Sequence, residues 1–180
     1  KEEKKIKSRN LKSIYSKSKL KSTKYGIYLY KKKNFPITIL RLFLSYGPGQ
    51  KPDRLIPYVV NSCLKDIKFD CSDGNQIRDY IYIDDVVNLI IQILKNKKVN
   101  GEILNVGSGK PVKIKFVINE IVRQIKKGYP NFGSIKLRKD EPNKLYANIK
   151  KTKNFLKWSP KIKLSRGLRK TIQFYRNNKV

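Results

Sequence analysis

Tyr15 and Lys19 stand four residues apart in the run Tyr15-Ser16-Lys17-Ser18-Lys19, a spacing that puts both side chains on one face of a helix. A phenol, with a reference pKa of about 10, is a poor base at neutral pH. An ammonium beside it favours the phenolate, and a Tyr so placed becomes a usable proton-transfer group. The same spacing also describes an exposed Tyr beside one of the chain's 34 Lys. Cys63 and Cys71 have no other Cys and no His to form a metal-ligand spacing, and they read as small buried hydrophobes. Gly107-Ser108-Gly109 follows a short apolar run, but Pro111 and the lack of a third spaced Gly argue against a dinucleotide-binding turn.

These residues need elements to hold them. Apolar residues from Leu11 to Lys33 recur at mostly helical spacing, and Asn34 and Pro36 end that helix. Ile37–Leu44 is a β-branched run of strand length, broken by Gly47, Pro48 and Gly49. Leu55–Leu64 reads as a helix with Pro57 tolerable only in its first turn. Gln76–Ile83 alternates like a half-buried strand, after which Asp84 and Asp85 are expected to cap a helix over Val86–Leu94. Ile103–Val106 reads as a buried strand, Val112–Lys127 as an amphipathic helix and Ile135–Leu137 as a strand. Two short helices, Lys150–Leu156 and Arg166–Asn177, flank Trp158-Ser159-Pro160, where Trp158 is expected to anchor the tail. Helices and strands in alternation predict an α/β sheet covered by helices.

Composition narrows the function. The 180 residues carry 43 Lys and Arg against 13 Asp and Glu, a formal net charge of +30, with 39% hydrophobic residues. That is enough apolar surface for one domain or part of a larger one. Having no His removes the commonest metal ligand and general base. No apolar run approaches the roughly 20 residues needed to span a bilayer, and no secretory signal opens the chain, so the expected location is cytoplasmic with no membrane partner. Lys outnumbers Arg by 34 to 9, and the Lys are spread along the whole chain together with many Asn, Ile and Tyr. That pattern suits an A/T-rich coding sequence better than a nucleic-acid-binding face, which leans on Arg for base readout. A basic nucleic-acid-binding module remains the alternative of another class, and it requires the charge gathered on one surface with aromatics interleaved.

Several pieces occur in a fixed order: Tyr15 to Lys19, Leu40-Arg41-Leu42-Phe43, Tyr46-Gly47-Pro48-Gly49-Gln50, Arg54-Leu55-Ile56-Pro57, Gly74 to Val86, Asn105 to Gly109, and Leu156 to Pro160. From about Ile14 to Tyr175 this series resembles the extended short-chain dehydrogenase/reductase family, in its NAD-dependent nucleotide-sugar epimerase/dehydratase group. The resemblance implies the C-terminal part of a Rossmann-like doubly wound sheet together with a small substrate-binding α/β subdomain. Residues 1–13 would be a frayed or truncated segment, and 14–180 the C-terminal half of the domain.

The same resemblance implies roles. Tyr15 would be the catalytic acid/base and Lys19 its partner, both also touching a cofactor, NAD or NADP. Arg54 and Leu55 would reach the nucleotide of a nucleotide-diphosphate sugar. Arg78 and Arg138 would grip its diphosphate, and Glu141 would meet its ribose. A complete enzyme would be a homodimer acting at sugar C4, expected as a 4-epimerase, with a 4,6-dehydratase or 4-ketoreductase as alternatives. Leu44, followed by Ser45, stands where many members carry a phosphate-contacting Asn, and Glu141 stands where Asp is commoner. Residues 1–14 contain no Gly, so the family's Gly-rich cofactor turn is not among them. The expectation is a C-terminal portion with an exposed sheet edge.

Overall fold

The computed structural model describes residues 13–138 and 141–178. The expected loop over residues 1–10 lies outside them, as do the first two positions of the expected helix Leu11–Lys33. Helix α1 spans Ile14–Lys33, with Ser13 as N-cap accepting the Ser16 amide at 3.1 Å and Asn34 closing it in the left-handed conformation. It buries Leu20 and Gly26 alone. Gly26 is where the helix approaches Ile39 closely, for a Cβ there would meet Ile39 Cδ1 at 3.0 Å.

The remaining elements follow in order. Strands β1 (Ile39–Leu42) and β2 (Leu44–Tyr46) replace the single strand expected over Ile37–Leu44, with a break at Phe43. Next come α2 (Leu55–Leu64), β3 (Lys68–Cys71), β4 (Ile77–Tyr82) and α3 (Ile83–Leu94), then β5 (Ile103–Val106) and β6 (Pro111–Lys113). Helix α4 (Ile114–Ile125), β7 (Tyr129–Phe132), β8 (Lys144–Leu145), α5 (Lys150–Leu156) and α6 (Leu164–Asn177) complete the described chain. β1 runs parallel to β5 with Ile39 opposite Ile103. β2 runs parallel to β4 with Leu44 opposite Tyr80. β4 also takes β6 antiparallel and β8 parallel, while β3 pairs with β7 in parallel.

β4 organises the packing. Its residues alternate between faces, as strand residues do. Tyr80 and Tyr82 enter the larger core with Val59 and Val60 of α2, Val117 and Ile121 of α4, and Leu168 and Ile172 of α6. Ile81 enters a second core with Val86, Leu89, Val106 and Trp158. The strand is therefore buried on both faces, where the alternation of QIRDYIYI had predicted one wet face. Trp158 is buried as expected. Cys63 and Cys71 are also buried free thiols, and burial pushes them up to about 12 and about 11.

Asp84 and Asp85 do not cap α3. The N-cap is Tyr82, and the two acids lie in the first turn. Asp84 pairs with Lys170 at 3.3 Å. Asp85 is buried and accepts the amides of Lys161 and Ile162 at 2.9 and 3.0 Å, which fastens the segment before α6 to the core. The strand expected over Ile135–Leu137 is not formed, and only the Ile135 amide bonds to this region, at Cys71 O.

Candidate active site

α1 brings Tyr15 to the rim of a cleft of about 560 Å³ whose other walls are β2, the loop after it and the start of α2. Tyr15 is 72% exposed. The Lys19 ammonium lies 5.4 Å from the centroid of its ring, within range of a cation–π attraction. Arg54 and Leu55 line the same cleft. Arg54 is the N-cap of α2 and holds the helix by its backbone, its carbonyl accepting the Tyr58 amide at 2.9 Å. Pro57 falls in the first turn of α2, where its missing N–H costs nothing. Leu44 and Ser45 are also in the wall, so the position of the absent Asn faces the cleft with an aliphatic side chain.

The other expected residues gather at the far end of β4. Arg78 is only 4% exposed. Its guanidinium donates through Nη1 to Ile77 O at 2.9 Å and through Nη2 to Glu141 Oε1. Arg138, exposed at its side chain, accepts the Glu141 amide on its carbonyl at 3.0 Å. Arg78, Arg138 and Glu141 therefore share one neighbourhood, although Arg78 and Glu141 are 63 residues apart in sequence. Arg78 does not line the cleft of Tyr15. It lies two residues before Tyr80 on the same face of β4, and Tyr80 does line the cleft. That separation is about 7 Å along a strand. An anion arriving at Arg78 must share its fork with Glu141 or displace it.

Sequence reasoning missed the groups that set this geometry. Asp79, fully buried, accepts Ser108 N and Oγ at 2.7 and 2.5 Å, Gly109 N at 2.9 Å and Ala147 N at 3.0 Å. One carboxylate thus ties β4 to the Gly107-Ser108-Gly109 turn and to the segment before α5. Gly107 is required there because a Cβ would meet Asp79 Oδ2 at 2.8 Å. The turn's Ser108 and Gly109 amides are both committed to this carboxylate. Gln50 and Asp53 line the cleft as well. Gln50 is held by Tyr175 of α6, whose hydroxyl donates to Gln50 O at 2.5 Å, and it donates in turn to Ser45 O at 3.0 Å. The Arg-Asp-Tyr triplet was the only sequence signal for Asp79, and nothing periodic marked Gln50. Among the described residues no group of His, Cys, Asp and Glu could hold a metal, and no helix is long and apolar enough to cross a membrane.

Comparison with known proteins places this arrangement. The model of the NAD dependent epimerase/dehydratase family matches residues 1–107. A UDP-glucuronate 4-epimerase from Thermodesulfobacterium geofontis is 35% identical over 151 residues, which cover 79% of this chain and 44% of that protein. The crystal structure of a UDP-glucuronic acid 4-epimerase from Bacillus cereus, holding UDP-glucuronic acid and NAD, superposes with a TM-score of 0.84 at 30% identity. It covers 99% of this chain and 58% of its own. A dTDP-glucose 4,6-dehydratase from Bacillus anthracis, solved with NAD, gives a TM-score of 0.85 at 27% identity over 99% of this chain and 56% of its own. The chain spans about half the length of the relatives it matches.

Proposed function

Since the chain belongs to the NAD dependent epimerase/dehydratase family, we propose that it carries the proton-transfer and nucleotide-sugar-binding part of an enzyme that oxidises a nucleotide-linked sugar at C4 and works as a 4-epimerase. The observation behind this reading is the meeting of the Tyr15 phenol, Arg54 and Leu55 in one cleft, with the Lys19 ammonium over the Tyr15 ring. Tyr15 takes the C4 hydroxyl proton on its phenolic oxygen and returns it when the ketone is reduced from the other face. Tyr15 acts as the phenolate, and Lys19 offsets the negative charge that Tyr15 carries before it takes the proton and after it gives it back. Bound NAD supplies reversible hydride acceptance. The residues present fit only its nicotinamide-ribose end, where a phenol and an ammonium sit one turn apart on α1; residues 1–14 hold no Gly that could cradle a pyrophosphate.

Arg78 and Arg138 anchor the diphosphate, and Glu141, moved off the Arg78 fork, accepts from the nucleoside ribose. Binding energy realised there holds the sugar in register at Tyr15. A 4-epimerase requires no acid or base beyond Tyr15 in this chain, and the relative at 35% identity is a 4-epimerase. Two copies would pair through α1, whose Tyr25 and Tyr28 are exposed and stacked with ring centroids 6.2 Å apart.

Tyr15→Phe tests the reading in a polypeptide that joins this chain to the remaining length of such relatives. Turnover falls by about three orders of magnitude or more, as expected for loss of a proton-transfer group. Affinity for the nucleotide sugar, measured by calorimetry, stays within about threefold because the hydroxyl contributes little to ground-state binding. Retained turnover would remove Tyr15 from the mechanism.

A further inference from the structure

Arg is scarce in this chain, nine residues against 34 Lys, yet three of the nine line one groove. The groove, of about 540 Å³, lies between the C-terminal end of α4 and α6 from Arg169 onward. α4 and its C-cap contribute Arg123 and Lys126, and α6 contributes Arg169 and Arg176. Arg169, Gln173 and Arg176 follow one another at four and three residues, so they form a single stripe along the helix. The interval from Arg169 to Arg176 is about 10 Å of helix rise. Gln124, Gln173 and Asn177 stand between the cations, and the lining has no carboxylate and no aromatic ring.

One wall is held in place from behind. Glu120, almost buried, accepts Arg123 Nε and Nη2 at 2.8 and 2.7 Å, Gln124 Nε2 at 2.7 Å and Ser165 Oγ at 2.8 Å. That carboxylate balances the charge of Arg123 and fixes its guanidinium, while Ser165 ties it to the start of α6. Lys126, Arg169 and Arg176 form no ion pair among the described residues, so the net positive charge of the groove is theirs. Two unpaired forks and an ammonium in a concavity of small-molecule size suit several adjacent oxyanions on one small ligand. The absence of aromatic platforms disfavours single-stranded nucleic acid, and an acyl chain would find one apolar side chain, Ile172, in a lining otherwise of cations and amides.

We propose that the α4–α6 groove is a second binding site, separate from the cleft of Tyr15, for a small oligophosphate: a chain of two or three linked phosphates, free or carried on a nucleoside. Arg169 and Arg176 grip separate phosphates bidentately, Lys126 adds charge, and the Gln and Asn amides donate to the bridging oxygens. The site touches the catalytic cleft indirectly. Tyr175, next to Arg176, bonds the carbonyl of Gln50 in the cleft wall.

Calorimetric titration with inorganic triphosphate at fixed ionic strength tests this on the polypeptide that joins this chain to the remaining length of such relatives. NAD and a nucleotide-diphosphate sugar saturate the cleft of Tyr15 and the Arg78 region, and adenosine triphosphate serves as a parallel arm. Saturable one-site binding is expected. The exposed pair Arg169→Gln/Arg176→Gln should weaken it by about tenfold or more, since both bidentate phosphate contacts are lost. Arg169→Lys/Arg176→Lys, which keeps the charge and loses the forks, should weaken it by several-fold. A control on α1, Lys31→Gln/Lys33→Gln, should leave it unchanged. Equal affinity for the two ligands makes the phosphate chain the recognised group, and tighter adenosine triphosphate binding makes it a nucleotide. Non-saturable uptake, or equal losses in the α1 control and the groove variant, would show only the attraction of a +30 protein for polyanions and would overturn the proposal.

Discussion

Single residues bear unusual loads in this molecule because so few of its charges are negative. With 13 acids against 43 basic residues, the buried carboxylates serve as internal fasteners. Glu120 shows the electrostatic consequence. Hydrogen bonds from Arg123 first, then from Gln124 and Ser165, pull its carboxyl from the ordinary 4.5 down to about 2. A depressed folded-state pKa means that the unfolded chain binds the proton more readily. The stabilisation is therefore complete above about pH 4.5, declines as the pH falls, and is gone below about 2. Glu120→Gln should flatten the stability profile across that interval while lowering stability at neutral pH, as read from urea melts between pH 2 and 7. An unchanged slope would free Glu120 from this role.

At the scale of elements, β4 and the turn it holds are the junction of the fold. Asp79, itself fully buried, accepts three backbone amides and a hydroxyl, and the Ala147 amide among them is buried. Orphaned donors cost roughly 1–3 kcal/mol each, so Asp79→Ala should destabilise the chain by about 3–5 kcal/mol, checked by chemical denaturation. Elements of this kind were legible in the sequence to very different degrees. α2, β5 and α5 match the expected Leu55–Leu64, Ile103–Val106 and Lys150–Leu156 because propensity, pattern and terminators agree there. β3, β6, β7 and β8 were not legible. Each has two to four residues and exists through its partner; Tyr129–Phe132 even contains Pro130, and it is a strand because it lies along Lys68–Cys71. The site divided the same way. Ordered motifs pointed to Tyr15, Arg54 and Arg78 with roles, whereas Gln50 stood in a motif without one, because its place is set by a bond to Tyr175, 125 residues away, which no local pattern encodes.

For the whole molecule, what is left uncovered matters as much as what is packed. Among the described residues β1 pairs with β5 alone. The outer side of α3 exposes Val87, Ile90, Ile91 and Leu94, the last 80% accessible, and α1 buries only two residues. An open strand edge beside apolar helix faces is a template for association. The 180-residue chain produced by itself should therefore run as oligomers or precipitate near neutral pH, despite its high net charge. Size-exclusion chromatography with light scattering decides this, and a monodisperse monomer with a cooperative melt would contradict it.

Trp158 adds an optical consequence. It is the only Trp in the chain, and it shares its core with Ile81, whose neighbour Tyr80 lines the cleft from the opposite face of β4. Indole emission shifts with local polarity and packing, so the wall between the two cores carries a built-in fluorophore. Events on the cleft side of β4 and loosening of the tail behind it fall within one spectral band, without any label being attached.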